Sequence, residues 1–204
     1  MNLMLVLALP ATLFALTFVM LRSRGGGAEG SSCRMDLEDS EVAGLPDRIR
    51  LVPNVEHAPA GSGFTERMAA KLREQGFEDA GGFAIEGIPD VAVRLLAHRG
   101  QSMYATLWDH AVVGSWYEFS SLYPGGARWT FTTLTGSGLD GRPGHTVVRD
   151  QGANLLDLYL RACSERPMGV FLSATAEQAV ADFENRYAQW MIWRRAQEGR
   201  SVAA

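Results

Sequence analysis

Apolar side chains in this chain follow three patterns: an unbroken run at the start, alternation through the middle, and helical spacing on both sides of that middle. The alternating region predicts strands over 82–88, 91–95, 102–110, 114–123 and 128–135. The links between them are short, and Arg99-Gly100-Gln101 and Pro124-Gly125-Gly126 read as turns. Thr146-Val147-Val148 reads as a sixth short strand. Sequential strands with short links predict an antiparallel meander of five or six strands. Strand period places Tyr104, Thr106, Trp108 and His110 on one side, and Met103, Ala105 and Leu107 on the other. Likewise Trp116, Glu118 and Ser120 alternate with Tyr117 and Phe119, and Thr130 and Thr132 alternate with Trp129 and Phe131. One face is therefore apolar, and the opposite face mixes aromatics with Thr, Ser, His and Glu.

Helical spacing appears three times. Phe64, Met68 and Leu72 recur every fourth residue with charges on the other side; Ser62 suits the cap, and Gly76 suits a left-handed stop. Residues 153–163 carry Leu155, Leu156, Leu158, Tyr159 and Leu160, which predicts a mostly buried helix. The last helix opens on the capping-box pattern Thr175-Ala-Glu-Gln178 and continues with Val180, Phe183, Tyr187 and Trp190 on one stripe. About three helices and the meander make an α+β domain over 64–204.

The unbroken run is residues 2–21. Residues 3–21 carry no charge and are long enough, at about 1.5 Å per residue, to span a hydrocarbon core near 30 Å. The run lacks a basic leader and a small-residue cleavage site, so it reads as an uncleaved single-pass anchor over 1–21 and not a signal peptide. Arg22, Arg24 and Arg34 follow it, and nothing basic in the sequence precedes it, which favours a cytoplasmic domain at the cell membrane. Residues 22–63, glycine- and serine-rich and then acidic, read as a flexible tether, with a short edge strand as an option near 47–52.

Composition narrows the function only slightly. A net charge of −4 gives no general attraction to nucleic acid. Cys33 and Cys163 do not make a disulfide framework. No nucleophile elbow, phosphate loop, zinc-binding His pair or Cys-x-x-Cys is present, so no cofactor or metal is expected and the chain leans away from catalysis. Asp109 and His110 are strand neighbours that point to opposite faces, which argues against an acid–base dyad. On the mixed face, Tyr104, Trp108, His110 and Trp116 are the candidate ligand-binding residues, unless the last helix covers that face as a second core layer. His98, His110 and Glu118 make a conceivable two-His, one-carboxylate metal set if they share a face. His57 and His145 fall in loops.

From about residue 72 to 193 the chain resembles a group of uncharacterised bacterial membrane-anchored proteins. The resemblance rests on Leu72-Arg-Glu-Gln-Gly-Phe77, Met103-Tyr-Ala105 with His110, Gly114-Ser-Trp-Tyr-Glu118, Tyr123-Pro-Gly-Gly126, Thr130-Phe-Thr-Thr133 and Arg142-Pro-Gly-His145. It implies a membrane protein and brings no activity with it. The sequence thus predicts a membrane-anchored binding or interaction module that can take a protein partner. The alternatives are a tethered hydrolase or metal-dependent enzyme using His98, His110, Glu118 or His145, and an assembly factor that docks another membrane protein.

Overall fold

The computed structural model describes residues 45–54, 63–111, 113–134 and 142–201. The anchor run, Cys33, His57 and Ser62 lie outside them. Among the described residues, no helix is long and apolar enough to cross a membrane.

Among the described residues, seven strands form one sheet in chain order. They are β1 Leu51–Pro53, β2 Glu78–Ile85, β3 Ile88–His98, β4 Met103–His110, β5 Gly114–Leu122, β6 Arg128–Thr132 and β7 His145–Arg149. Three helices, α1 Phe64–Glu74, α2 Leu155–Glu165 and α3 Ala176–Ser201, complete the α+β domain.

The meander holds from β1 to β6, where every pairing is antiparallel. The structure departs from the expectation at both edges. β7 pairs parallel to β6, with Arg128 opposite His145, Thr130 opposite Val147 and Thr132 opposite Arg149. A parallel neighbour requires the chain to return to the end of the sheet where β6 began before β7 starts. At the other edge, β1 comes from the stretch expected to be mainly tether and takes up the short edge strand offered there as an option. A three-residue strand shows no period, so only burial reveals it: Ile49 and Leu51 join the core. The folded unit therefore takes in residues 45–54. β1 is also guarded at its open edge, where Leu51 N–H donates to Glu184 Oε1 of α3 at 2.7 Å.

Side chains on the two sheet faces meet different helices. Leu96, Met103, Ala105, Leu107, Tyr117, Phe119 and Phe131 face α1 and α2, closing a core with Ala69, Leu72, Leu155, Leu158, Tyr159 and Ala162. α1 ends as its glycine predicts. Gly76 has φ 89°, its N–H reaches Arg73 O, and Phe77 N–H reaches Leu72 O, so the cap drops Phe77 into the core beside Leu72. Its start differs from expectation, because Gly63 in the left-handed region is the cap residue. α2 starts at Asn154, whose side chain accepts from Leu156 and Asp157 N–H.

On the other face Phe83, Ile85, Val91, Val93, Leu95, Ala97 and Tyr104 pack under α3 through Ala179 and Phe183. The last helix thus covers the mixed face. Tyr187 Oη and Arg195 bind Pro46 O, Asp47 and Leu45 O, tying the middle and end of α3 to the segment that precedes β1. The result is a sheet between two helical layers.

Candidate functional site

The cover is unequal along the sheet. Over β1–β4 the side chains beneath α3 are mostly apolar; over β5–β7 strand period turns Glu118, Arg128, Thr130, Thr132, His145, Val147 and Arg149 toward the helix. Apart from Arg128, these side chains do not close tightly against α3. They leave a cleft of about 90 Å³, room for a few water molecules or a small organic ligand. Trp108 and Phe183 border its β4 side, at 5.4 Å between ring centroids. Glu118, Thr130 and Thr132 form its floor, and Arg142, His145 and Arg149 border its β7 side. Arg186, Tyr187 and Trp190 of α3 form its roof.

One ion pair is buried beside this cleft. Arg128 is 3% exposed; it donates to Asp182 Oδ1 at 2.6 Å and to Ser120 Oγ at 3.0 Å. The pair pins β6 to α3, and its geometry offsets the desolvation that a buried guanidinium incurs. A looser pair, Arg186 to Glu118 Oε2 at 3.4 Å, crosses the cleft from roof to floor. Arg142 reaches Gln189 Oε1 at 3.3 Å, so its contact on α3 is to a neutral group.

Guanidiniums gather at the cleft: among the described residues Arg142, Arg149 and Arg186 line it with Glu118, and the Arg128–Asp182 pair lies beside it. His145 responds to this field. Burial, and then the guanidiniums of Arg186, Arg142, Arg128 and Arg149, push its pKa down to about 3. The imidazole is therefore neutral near pH 7, and its Nε2 lies 3.0 Å from Thr130 Oγ1. Arg142 and Arg128 are themselves lowered, first by burial.

The structure sorts the sequence-predicted residues. Trp108 lines the cleft and stacks on Trp116 at 5.1 Å, in register across β4 and β5. The Trp108 indole Nε1 is buried with no hydrogen-bond partner among the described residues. Trp116 is buried behind it. Tyr104 is buried further along β4, in a small separate cavity with Asp182 and Ala179. His110 is buried at the end of β4, where Nδ1 accepts from Val113 N–H at 3.1 Å and burial lowers its pKa.

The metal set does not form. His98 faces the other helical layer, edge-on to Phe77 at 5.1 Å and stacked with Tyr159 at 6.4 Å, whereas Glu118 faces α3. β3 places His98 out of phase with Val93 and Leu95, so the two imidazoles lie on opposite sides of the sheet. Among the described residues no three His, Cys, Asp or Glu gather as metal ligands. Asp109 and His110 diverge as strand neighbours must: Asp109 accepts from Ser115 Oγ at 3.0 Å. Cys163 is half-buried and hydrogen-bonded with Tyr159, and burial pushes its thiol pKa up, which suits a packing role.

Sequence reasoning missed the arginines. Arg128, Arg142, Arg149 and Arg186 come from β6, the β6–β7 connection, β7 and α3. A usable signal existed for two of them: extending the alternation puts Arg128 in phase with Thr130 and Thr132, and Arg149 in phase with Val147. No family model, curated protein or solved structure matches this chain. What the site does has to follow from its own chemistry.

Proposed function

We propose that this protein is a membrane-anchored binding module that takes a small ligand into the cleft between β5–β7 and α3. The observation that carries the reading is the cleft itself: a partly enclosed concavity with aromatic walls and convergent polar groups is the common form of a small-ligand site. Residues 3–21 supply the anchor, with the domain on the cytoplasmic side, and the resemblance to bacterial single-pass membrane proteins points the same way.

Catalysis fits less well. A base must be able to draw a proton near the working pH, and an imidazole held at about 3 is too weak for that. Docking of another membrane protein through α3 fits less well too. That role needs an apolar stripe, and Ile192 is the one exposed large hydrophobic of α3 among the described residues.

The test is to fill the cleft without touching its charges. Val147 lines the floor and carries no polar group. Small molecules found by ligand-observed NMR with the full-length chain should lose binding to the Val147→Phe variant while the melting temperature stays within a few degrees. Hits that bind wild type and variant alike would sink the reading.

A further inference from the structure

The α2–α3 connection, residues 166–175, exposes apolar side chains on a backbone that is firmly held. From Pro167 to Ala176 no side chain is charged. Met168 is 96% exposed, Val170 73% and Leu172 42%. Exposed connections ordinarily carry polar tips, and a group of large apolar tips marks a contact surface. The backbone beneath them is fixed. Tyr123 Oη donates to Pro167 O at 2.8 Å, and Leu172 N–H donates to Leu122 O at 2.8 Å. Phe171 turns back onto Tyr123, at 5.0 Å between ring centroids, with the Arg166 guanidinium 4.1 Å from the Phe171 ring centre. Arg166 is itself buried and donates to Gln101 O and Ser121 Oγ. With Phe171 docked on the end of the sheet, its neighbours Val170 and Leu172 are turned out.

The connection lies where α3 begins. Leu45 sits toward the other end of that helix, because its carbonyl accepts from Arg195. The two points are about 28 Å apart along α3, at 1.5 Å for each residue from Ala176 to Arg195. Residues 22–44 join the apolar run to Leu45, and a chain of that length reaches about 80 Å at most. The exposed tips are therefore within reach of a bilayer that holds residues 3–21. Tethering also makes a weak contact sufficient, since the second contact forms within one molecule. We propose that Met168, Val170 and Leu172 enter the interfacial layer of that bilayer, a second and non-spanning contact that turns the α2–α3 end of the domain toward the lipid. The contact rests on residues 3–21 being an anchor and is independent of what the cleft holds.

The test uses the full-length chain in phosphatidylcholine–phosphatidylglycerol vesicles, in a Cys33→Ser, Cys163→Ser background. An environment-sensitive dye is attached at Met168→Cys. The control carries it at Glu86→Cys, exposed in the β2–β3 turn at the far end of the sheet. With brominated acyl chains in the vesicle, the dye at 168 should shift to the blue and lose most of its emission, while the dye at 86 keeps its own. Val170→Asp, a change at an exposed site, should return the dye at 168 to the level at 86 without moving the melting temperature. Equal emission at both positions, in protein that floats with the vesicles, would overturn the lipid contact and leave the anchor standing. Quenching at 168 that survives Val170→Asp would show that the dye enters the bilayer without the protein's own side chains, and would overturn the contact as well. A shift at 168 that follows protein density and not bromine would put a second copy of the chain there in place of lipid. Protein that does not float with the vesicles would overturn the anchor and the contact together.

Discussion

Against α1 and α2 the sheet presents Phe119, Phe131, Leu107 and Leu96, and the layer closes mainly on hydrocarbon, beside hydrogen bonds of Ser115 to the buried Asp109 and of the buried Arg166 to Ser121. Against α3 the same strands present Thr106, Glu118, Ser120, Thr130 and Thr132, with arginines at the margins. The two faces come from the same β4–β6 residues in alternation, so the difference is one of side-chain chemistry and not of strand order. A face that can be filled with hydrocarbon is filled. A face that must accommodate Arg128, Glu118 and His145 is closed by ion pairs where it can be and is left open where it cannot. The first face is thus held by packing, and the second by ion pairs around an open cleft.

Substitutions can break or sharpen that contrast. The largest effect is expected on the closed face. Phe119 is fully buried against Phe77 and Tyr159, and Phe119→Ala should cost about 4 kcal/mol in denaturant unfolding. A loss below about 1 kcal/mol would mean that this layer is loosely packed. Next is the pin on the open face. Asp182→Ala leaves Arg128 buried beside Ser120 without its carboxylate and should cost about 3 kcal/mol, with Asp182→Asn intermediate.

Near neutral pH a smaller effect, and a pH-dependent one, belongs to His145. Its folded pKa, about 3, lies below the ordinary value of 6.5, so the folded protein resists a proton that the unfolded chain accepts. The stability tied to the neutral imidazole is complete above about pH 6.5 and is lost as pH falls toward 3, by at most about 1.4 kcal/mol per pH unit. His145→Gln should flatten that limb of the stability curve, and an unchanged limb would show that the arginine field does not reach it. Smallest of all is Arg73→Ala. It breaks ion pairs to Glu66 and Asp79 at the exposed junction of α1 and β2, where Arg94 also bonds both carboxylates. The change should stay within about 1 kcal/mol and shrink further in salt.

The sequence carried the closed face well because hydrocarbon alternation is a local signal: Met103, Ala105 and Leu107 declare their side of β4 within five residues. It carried α3 as a cover, since Phe183, Tyr187 and Trp190 recur at helical spacing. The cleft was hidden because its charges meet only through register. Arg128 and His145 become neighbours across a parallel pair whose pairing no short-range pattern records, and an isolated arginine reads as surface. β1 was legible only as an option for a short edge strand near 47–52, because with Leu51–Pro53 as its whole length it has too few positions to show a period. Of Tyr104, Trp108, His110 and Trp116 on the mixed face, Trp108 lines the cleft.

The contacts between the Leu45–Leu51 segment and α3 have a mechanical consequence. Leu45, Pro46, Asp47 and Leu51 are bonded to Arg195, Tyr187 and Glu184. Any tension on the chain ahead of Leu45 therefore enters the domain through α3, the helix that also supplies Arg186, Tyr187 and Trp190 to the cleft. The segment that precedes β1 and the roof of the cleft thus share one helix, so a load on the first acts on the body that forms the second.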